Sequence, residues 1–349
     1  VLISFAIWLS PHLDEPGMAL AYAVFVAGLV QLLFQLPFLA RIHALPRPKW
    51  AVGHEGVRRT MRLMLPAIFG SSVAQINVLL GGIIASLLGV GKISLLYYSD
   101  RLMEFPLGLF GIALATVTLP YLSRQYASES HDEFSATLDW SMRLVALIAV
   151  PAAVGLIMLA DPLVATIFYG GVFSANDVRM TALALQAFAL GLVGFSFVKI
   201  LAPAYFSRED TRTPVRIGLI ALAVNFGLSV ALAWYLTSVG FEGSHAGLAL
   251  AISIAAILNA GLLYRGLRRD DVIRHGSGWP VLLSRLAGAN GTMVIVLWQL
   301  HRPAAWWIDA GAAERVYWLG VTVLAGAAAY FAALLLLGMR PSQFAMRFR

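Results

Sequence analysis

The chain has 349 residues, of which 60% are hydrophobic and only 12% are charged, and its mean hydropathy is +0.79. This composition excludes a soluble domain with a hydrated surface and indicates a membrane protein. The absence of cysteine excludes disulfides and thiolate metal sites, and the formal charge of +7 is explained below by membrane topology, which argues against nucleic-acid binding.

Apolar runs between charged segments predict one truncated membrane span and nine complete ones, because about 20 apolar residues in a helix cross a hydrocarbon core. The spans lie near residues 1–10, 17–39, 63–90, 94–122, 140–160, 179–206, 214–236, 246–266, 281–301 and 315–338. The first is half a span long and no basic signal-peptide region precedes it, so we expect the chain to begin inside a helix. The fold class is therefore an all-α polytopic helical bundle.

Basic residues are concentrated in alternate loops, whereas the intervening loops hold more acidic residues. By the positive-inside rule, the basic loops and the C-terminus are expected in the cytoplasm. The basic set is Arg41, Arg47, Lys49, Arg58, Arg59, Arg62, Arg124, Arg208, Arg212, Arg216, Arg265, Arg268, Arg269, Arg274, Arg340, Arg347 and Arg349.

The fourth span carries three charges, Asp100, Arg101 and Glu104, just before Pro106. Ionisable groups at membrane depth cost about 2.5–3.5 kcal/mol each on insertion scales unless they face protein or water. Steps of three and four residues place Arg101 and Glu104 on a polar or small-residue helix face, and Asp100 lies four residues before Glu104 on the same side. That face comprises Ser94, Tyr97, Arg101, Glu104, Gly108, Gly111, Ala115 and Thr118. We expect a cavity wall with a kink at Pro106; the alternative is an internal ion-pair cluster that joins helices.

The preceding span has a related polar face with Ser71, Gln75 and Asn77. These residues are candidates for lining the same cavity, although uncharged polar residues at such spacings also join helices to one another, and both interpretations stay open.

Other polar residues in the spans give weaker predictions. Lys199 is expected to extend toward the interface, and Asn225 with Ser229 lacks the carboxylate that a cation site favours. Four of the seven histidines, in loops between later spans, lack metal-ligand spacing and are expected to be solvated; they are His131, His245, His275 and His301. No metal or cofactor is predicted.

The sequence contains no cysteine nucleophile, nucleophile elbow, phosphate-binding loop or zinc-protease motif. We therefore expect a transporter rather than an enzyme, driven by a gradient or the membrane potential.

Three segments resemble the MurJ (MviN) lipid II flippase family. They are Tyr97–Gly108 (YYSDRLMEFPLG) with its continuation Thr118–Ser123 (TLPYLS), Phe168–Phe173 (FYGGVF) and Leu201–Pro214 (LAPAYFSREDTRTP). The resemblance implies a fourteen-helix, two-lobe flippase fold of the multidrug/oligosaccharidyl-lipid/polysaccharide exporter superfamily, in which this chain begins within the fifth helix. It implies that residues 1–62 end the N-terminal lobe, 63–274 form the C-terminal lobe, and 275–349 add two helices and a cytoplasmic tail.

The resemblance also implies a site and a cargo. The cavity helices correspond to 63–90 and 94–122, and Arg101 matches a position thought to meet a diphosphate-sugar head group. Asp100 and Glu104 match its charged neighbours, and the last two helices match those proposed to cradle a polyprenyl tail. Some members are thought to bind sodium through carboxylates of the C-terminal lobe, which Asn225 and Ser229 do not supply.

The main hypothesis is a flippase in the bacterial inner membrane. It moves lipid II, an undecaprenyl-diphosphate-linked peptidoglycan precursor, to the outer leaflet by alternating access. Its expected partners are lipid II, membrane lipids and cell-wall synthesis proteins. The alternatives are a related exporter of another polyprenyl-linked glycan or an organic cation, and a non-transporting scaffold for cell-wall synthases.

Overall fold

The computed structural model describes residues 1–15, 17–42, 55–108, 113–128, 130–273 and 278–339, without the side chains of residues 59, 60, 62–74 and 113–117. Regular structure in these ranges is helical, apart from one isolated bridge between Gly170 and Phe173. The α-helices are α1 (Leu2–Trp8), α2 (Met18–Arg41), α3 (Glu55–Leu87), α4 (Lys92–Pro106), α5 (Ala113–Ala127), α6 (His131–Met158), α7 (Ala160–Phe168), α8 (Ala175–Phe206), α9 (Arg212–Ser238), α10 (Ala246–Arg269), α11 (Trp279–Gln299), α12 (Ala304–Asp309) and α13 (Ala312–Leu336).

The predicted all-α membrane architecture is confirmed. Within the described ranges, seven helices are long and apolar enough to cross a membrane: α2, α6, α8, α9, α10, α11 and α13. The count of nine complete spans stays a prediction, because the other two predicted spans, 63–90 and 94–122, include residues or side chains outside the described part. The short helices α7 and α12 were not predicted, since they lie in segments between apolar runs.

The chain divides into two compact units, Val1–Pro66 and Ala67–Arg349. In the first unit, α1 packs against α2. The second unit contains α4 to α13 and is organised around α8, which packs against α4, α5, α6, α7 and α10.

Helix α8 is long because its start is well specified and its interior is apolar. Gly170 and Gly171 precede it with φ angles of 141° and 58°, which a side chain would strain. Ser174 and Asp177 then form a reciprocal capping box, in which the Asp177 amide donates to Ser174 Oγ and the Ser174 amide donates to Asp177. The 32 residues that follow span about 48 Å.

Two glycines let α8 and α10 pack closely. A methyl group on Gly191 would lie 2.6 Å from the Cα atom of Ser253, and one on Gly194 would lie 2.7 Å from the amide nitrogen of Ile257. Ser253 Oγ also donates to the carbonyl of Ala187 at 2.7 Å. Small residues and cross-helix hydrogen bonds are typical of packing in membranes, where helix association gains little from the hydrophobic effect.

The last two long helices pack together, α11 also packs on α6, and α13 also packs on α7. Tyr330 on α13 donates to the carbonyl of Leu147 on α6 at 2.7 Å, and Arg315 donates to the carbonyl of Ala165 on α7 at 2.8 Å. These side-chain hydrogen bonds join α13 to the central helices of the second unit.

The predicted fourth span changes helix type directly after Pro106, and its residues 109–112 lie outside the described part. α4 ends at Pro106, residues 107–108 form a π-helical turn, and α5 begins at Ala113. Proline removes a backbone donor and crowds the preceding turn, which accounts for the end of the α-helix where the sequence predicts a kink.

Candidate functional site

Helix α4 presents two different faces. Leu95, Ser99 and Met103 are buried at successive four-residue steps, and α4 packs there against α8. Ser99 Oγ donates to the carbonyls of Leu95 and of Thr181 on α8, both at 2.8 Å. Because α8 holds this face of α4, the opposite face of α4 is directed away from α8.

The aromatic ring of Tyr98 strengthens this attachment. It lies 4.8 Å from the ring of Phe168 and 5.7 Å from that of Phe173, on either side of the glycine turn before α8. Ring pairs at these separations add about 0.5–1.5 kcal/mol beyond the area that they bury. The aromatic cluster and Ser99 hold the helix just before its charged residues.

The outward face of α4 carries a charged cluster, defined as Tyr97, Asp100, Arg101 and Glu104. One terminal nitrogen of Arg101 lies 2.6 Å from Glu104 Oε2, and the other lies 3.4 Å from Asp100 Oδ2. The guanidinium carbon is 4.9 Å from the centre of the Tyr97 ring. The predicted Arg101–Glu104 pair is thus present, and Arg101 joins all three other members.

The charged cluster is only partly covered in the described chain. The side chains of Arg101 and Glu104 are 50% and 49% exposed, and that of Asp100 is 35% exposed. This partial exposure leaves the Arg101 guanidinium accessible to another anion. The guanidinium has five donors in a planar fork, which suits bidentate contact with phosphate or carboxylate oxygens.

The structure places the other predicted cavity residues differently. The side chain of Ser71 lies outside the described part, and Gln75 is exposed on α3. Asn77 contacts α9 instead, where Asn225 Nδ2 donates to Asn77 Oδ1 at 2.5 Å and Ser229 Oγ donates to Asn225 Oδ1 at 3.4 Å. Of the seven predicted residues, the structure therefore brings together the four on α4.

Asn77 lines a second site, a cavity of about 360 Å³ between α8, α9 and α10, called here the asparagine cavity. Its lining contains none of the charged-cluster residues. It is lined by Asn77, Phe195, Val198, Lys199, Gly218, Ala221, Leu222, Asn225, Ile252, Ala255, Ala256 and Asn259. Sequence reasoning missed it because its polar members lie on four helices that are far apart along the chain.

The prediction of solvated loop histidines is wrong for His245. This side chain is fully buried, and its Nε2 lies 3.0 Å from the carbonyl of Met180. Burial, the larger effect, lowers the pKa of His245 and the nearby charge of Lys92 lowers it further, while the hydrogen bond to Met180 raises it. Among the described residues, no group of three or more acidic, histidine or cysteine side chains is arranged to hold a metal ion.

Comparison with solved structures supports the fold. A lipid II flippase MurJ in an inward closed conformation matches with a TM-score of 0.65 and 22% identity, over 86% of this chain and 59% of that one. An outward-facing multidrug resistance MATE family transporter of the MOP superfamily matches with a TM-score of 0.50 and 16% identity, over 81% of this chain and 65% of that one.

Sequence comparison is more specific. The chain is 46% identical to the probable lipid II flippase MurJ of Vibrio cholerae over 341 residues, and 44% identical to that of Haemophilus influenzae over 345 residues, each covering 97% of this chain. It is 38% identical to the lipid II flippase MurJ of Burkholderia cenocepacia over 350 residues, or 99% of this chain. It spans 63%, 66% and 66% of these three relatives.

The family model of the lipid II flippase MurJ matches residues 1–315. Together with the relatives, this match confirms the resemblance carried by Tyr97–Gly108, Phe168–Phe173 and Leu201–Pro214. The chain belongs to the lipid II flippase MurJ family.

Proposed function

We propose that the protein containing this chain moves lipid II from the inner to the outer leaflet of the bacterial cytoplasmic membrane. The relatives named as lipid II flippases support this cargo. The single observation that carries the proposal is the charged cluster, in which Arg101 lies within a membrane-associated helix, half exposed and bound to two carboxylates.

Arg101 binds the diphosphate of the cargo in this proposal. A guanidinium makes charge-assisted, bidentate hydrogen bonds to carboxylate and phosphate alike, and a diphosphate carries more negative charge than the single carboxylate of Glu104, which favours exchange of Arg101 to the cargo. Tyr97 supports the guanidinium plane through its ring face. Asp100 and Glu104 hold Arg101 in position when cargo is absent and receive it again after release.

The position of the cluster also suits an alternating-access cycle. Ser99 and the Tyr98 ring fix α4 to α8, so the cluster moves with the helices of the second unit. A rigid-body movement of those helices would carry the bound diphosphate between the two sides of the membrane. This step uses no covalent chemistry, so the protein acts as a transporter without a cofactor.

The proposed topology places the arginine-rich loops and the C-terminus in the cytoplasm. The cytoplasmic end of α8 would then be the one near Arg208 and Arg212, and the capped end near Ser174 would face outward. Contacts with cell-wall synthesis proteins also belong to this proposal.

Complementation of cells depleted of their own lipid II flippase tests the proposal. The full-length protein is expected to restore growth, and Arg101→Ala is expected to abolish it. Arg216→Ala is a matched control, because Arg216 is exposed on α9 and lies outside the cluster. Growth supported equally by both variants would contradict the assigned role of Arg101.

Two readouts separate the alternatives. A related exporter of another cargo would leave lipid II inside while a different polyprenyl-linked glycan reached the surface. A scaffold for cell-wall synthases would tolerate joint neutralisation of Asp100, Arg101 and Glu104 without loss of growth. The proposal predicts loss of lipid II at the outer leaflet in that triple variant.

A further inference from the structure

The asparagine cavity carries a single charged side chain. Lys199 lines it from α8, and no aspartate or glutamate is among the described lining residues. Neither an ion pair nor a hydrogen bond joins the Lys199 ammonium to another described residue. Lys199 is exposed on α8, so its ammonium is accessible to a ligand, and a charge in a membrane-spanning helix is stabilised by a counter-ion. The cavity therefore favours an anion.

The hydrogen bonds around Lys199 add to this preference. Ser229 donates to Asn225, and Asn225 donates to Asn77. These hydrogen bonds occupy the side-chain oxygen of Asn77 and leave its amide nitrogen as a donor. The Asn259 amide also has no hydrogen-bond partner among the described residues. The cavity thus offers one ammonium and two carboxamide donors to a ligand, which matches a carboxylate and opposes a cation.

Apolar groups form the remaining walls. Phe195 and Val198 line the cavity from α8, Leu222 lines it from α9, and Ile252 lines it from α10. A cavity with both cationic or amide groups and apolar walls is complementary to an amphiphile rather than to a small hydrated anion. A volume of about 360 Å³ is near the lower end of the range for ligand cavities, which suits one alkyl chain better than two.

The depth of the cavity is also suitable. Lys199 lies seven residues before the end of α8 at Phe206, and Gly218 lies six residues after the start of α9 at Arg212. At 1.5 Å per residue these positions are about 10 Å inside the arginine-rich helix ends. The carboxylate of a single-chain amphiphile can therefore reach Lys199 from the interface at that end.

We infer that the asparagine cavity binds a fatty-acid carboxylate, with Lys199 and the amides of Asn77 and Asn259 on the head group and the apolar walls on the chain. The site is separate from the charged cluster and independent of the proposed cargo.

Native mass spectrometry of the full-length protein in phosphatidylcholine nanodiscs tests this inference. Laurate is expected to bind at one saturable site, whereas dodecanol lacks the charge and acetate lacks the chain, and both are expected to bind at least about tenfold more weakly. Equal binding of dodecanol or acetate would overturn the inference, as would tighter binding of dioctanoyl phosphatidylglycerol.

Variants locate the site. Lys199→Met is expected to weaken laurate binding at least about tenfold, while Lys199→Arg retains it. Lys92→Met is the matched control, because Lys92 lies on α4 and donates to the carbonyl of Glu242 instead. If Lys199→Met does not fold, Asn259→Leu gives the second test and is expected to weaken binding severalfold. Laurate binding unchanged in the variants that fold, or reduced equally in Lys92→Met, would overturn the assignment.

Discussion

The packing of α8 on α10 gives a stability prediction with a matched control. In Gly194→Ala, the new methyl carbon would lie 2.7 Å from the amide nitrogen of Ile257 and 2.9 Å from the carbonyl carbon of Ala256. Both neighbours are backbone atoms, so no change of side-chain rotamer relieves the contact. The two helices must separate by several tenths of an ångström along their shared surface.

The magnitude follows from two opposing effects. Overpacking a tight contact costs about 1–3 kcal/mol, and replacing glycine by alanine inside a helix returns about 1 kcal/mol. We expect a net loss of about 1 kcal/mol, within a range of about 0–2 kcal/mol, in the free energy of unfolding. Gly227 on α9 has no atom within 4 Å of the position of an added methyl, so Gly227→Ala should gain about 1 kcal/mol instead.

Thermal unfolding of the detergent-solubilised full-length protein, followed by loss of the monodisperse chromatographic peak, measures the difference. Gly194→Ala is expected to unfold a few degrees below the wild type, and Gly227→Ala at or above it. A Gly194→Ala protein as stable as Gly227→Ala would refute the reasoning from the close helix contact.

Three further predictions follow from single contacts. Ser99→Ala removes the hydrogen bond to Thr181, so it is expected to lower the free energy of unfolding by about 1 kcal/mol and to reduce lipid II export. Ser284→Ala is the control: it loses a hydrogen bond only within its own helix and should change neither the unfolding temperature nor export. Tyr330→Phe removes the hydrogen bond from α13 to α6 and is expected to lower the free energy of unfolding by about 1 kcal/mol. Tyr317→Phe is the control, because the Tyr317 ring is exposed on the same helix; an equal loss of stability in both variants would contradict the prediction. Burial lowers the pKa of His245 below its ordinary 6.5, so the unfolded state takes up the proton first as pH falls, and the folded state loses stability below about pH 6.5. The melting temperature of His245→Gln should therefore fall less than that of the wild type between about pH 7.5 and pH 5.5. The same fall in both proteins would contradict a neutral, buried His245.

The geometry of α4 was largely predictable. Tyr97, Arg101 and Glu104 are separated by steps of four and three residues, and helical periodicity alone places them on one face. The pairing of Arg101 with Glu104 follows from the same spacing. The bond from Ser99 to Thr181 was not predictable, because its acceptor is a backbone carbonyl 82 residues away that only tertiary packing brings near.

Features built from several distant segments were missed for the same reason. The asparagine cavity combines Asn77, Lys199 and Asn259, and no local pattern links residues on separate helices. His245 was predicted to be solvated because it follows a loop, but the loop packs against α8 and buries the ring. The short helices α7 and α12 have nine and six residues, too few for a periodic pattern to distinguish them from loops.

The central claim is that Arg101 binds cargo rather than only joining its neighbours. Arg101→Met combined with Glu104→Gln removes the ion pair while leaving the net charge of the cluster unchanged, and it avoids the unpaired carboxylate that Arg101→Met alone would leave at Glu104. The direct measurement is the amount of lipid II at the outer leaflet in cells that depend on this double variant. We predict a stably folded protein with lipid II retained inside; wild-type levels of lipid II at the outer leaflet would contradict the account.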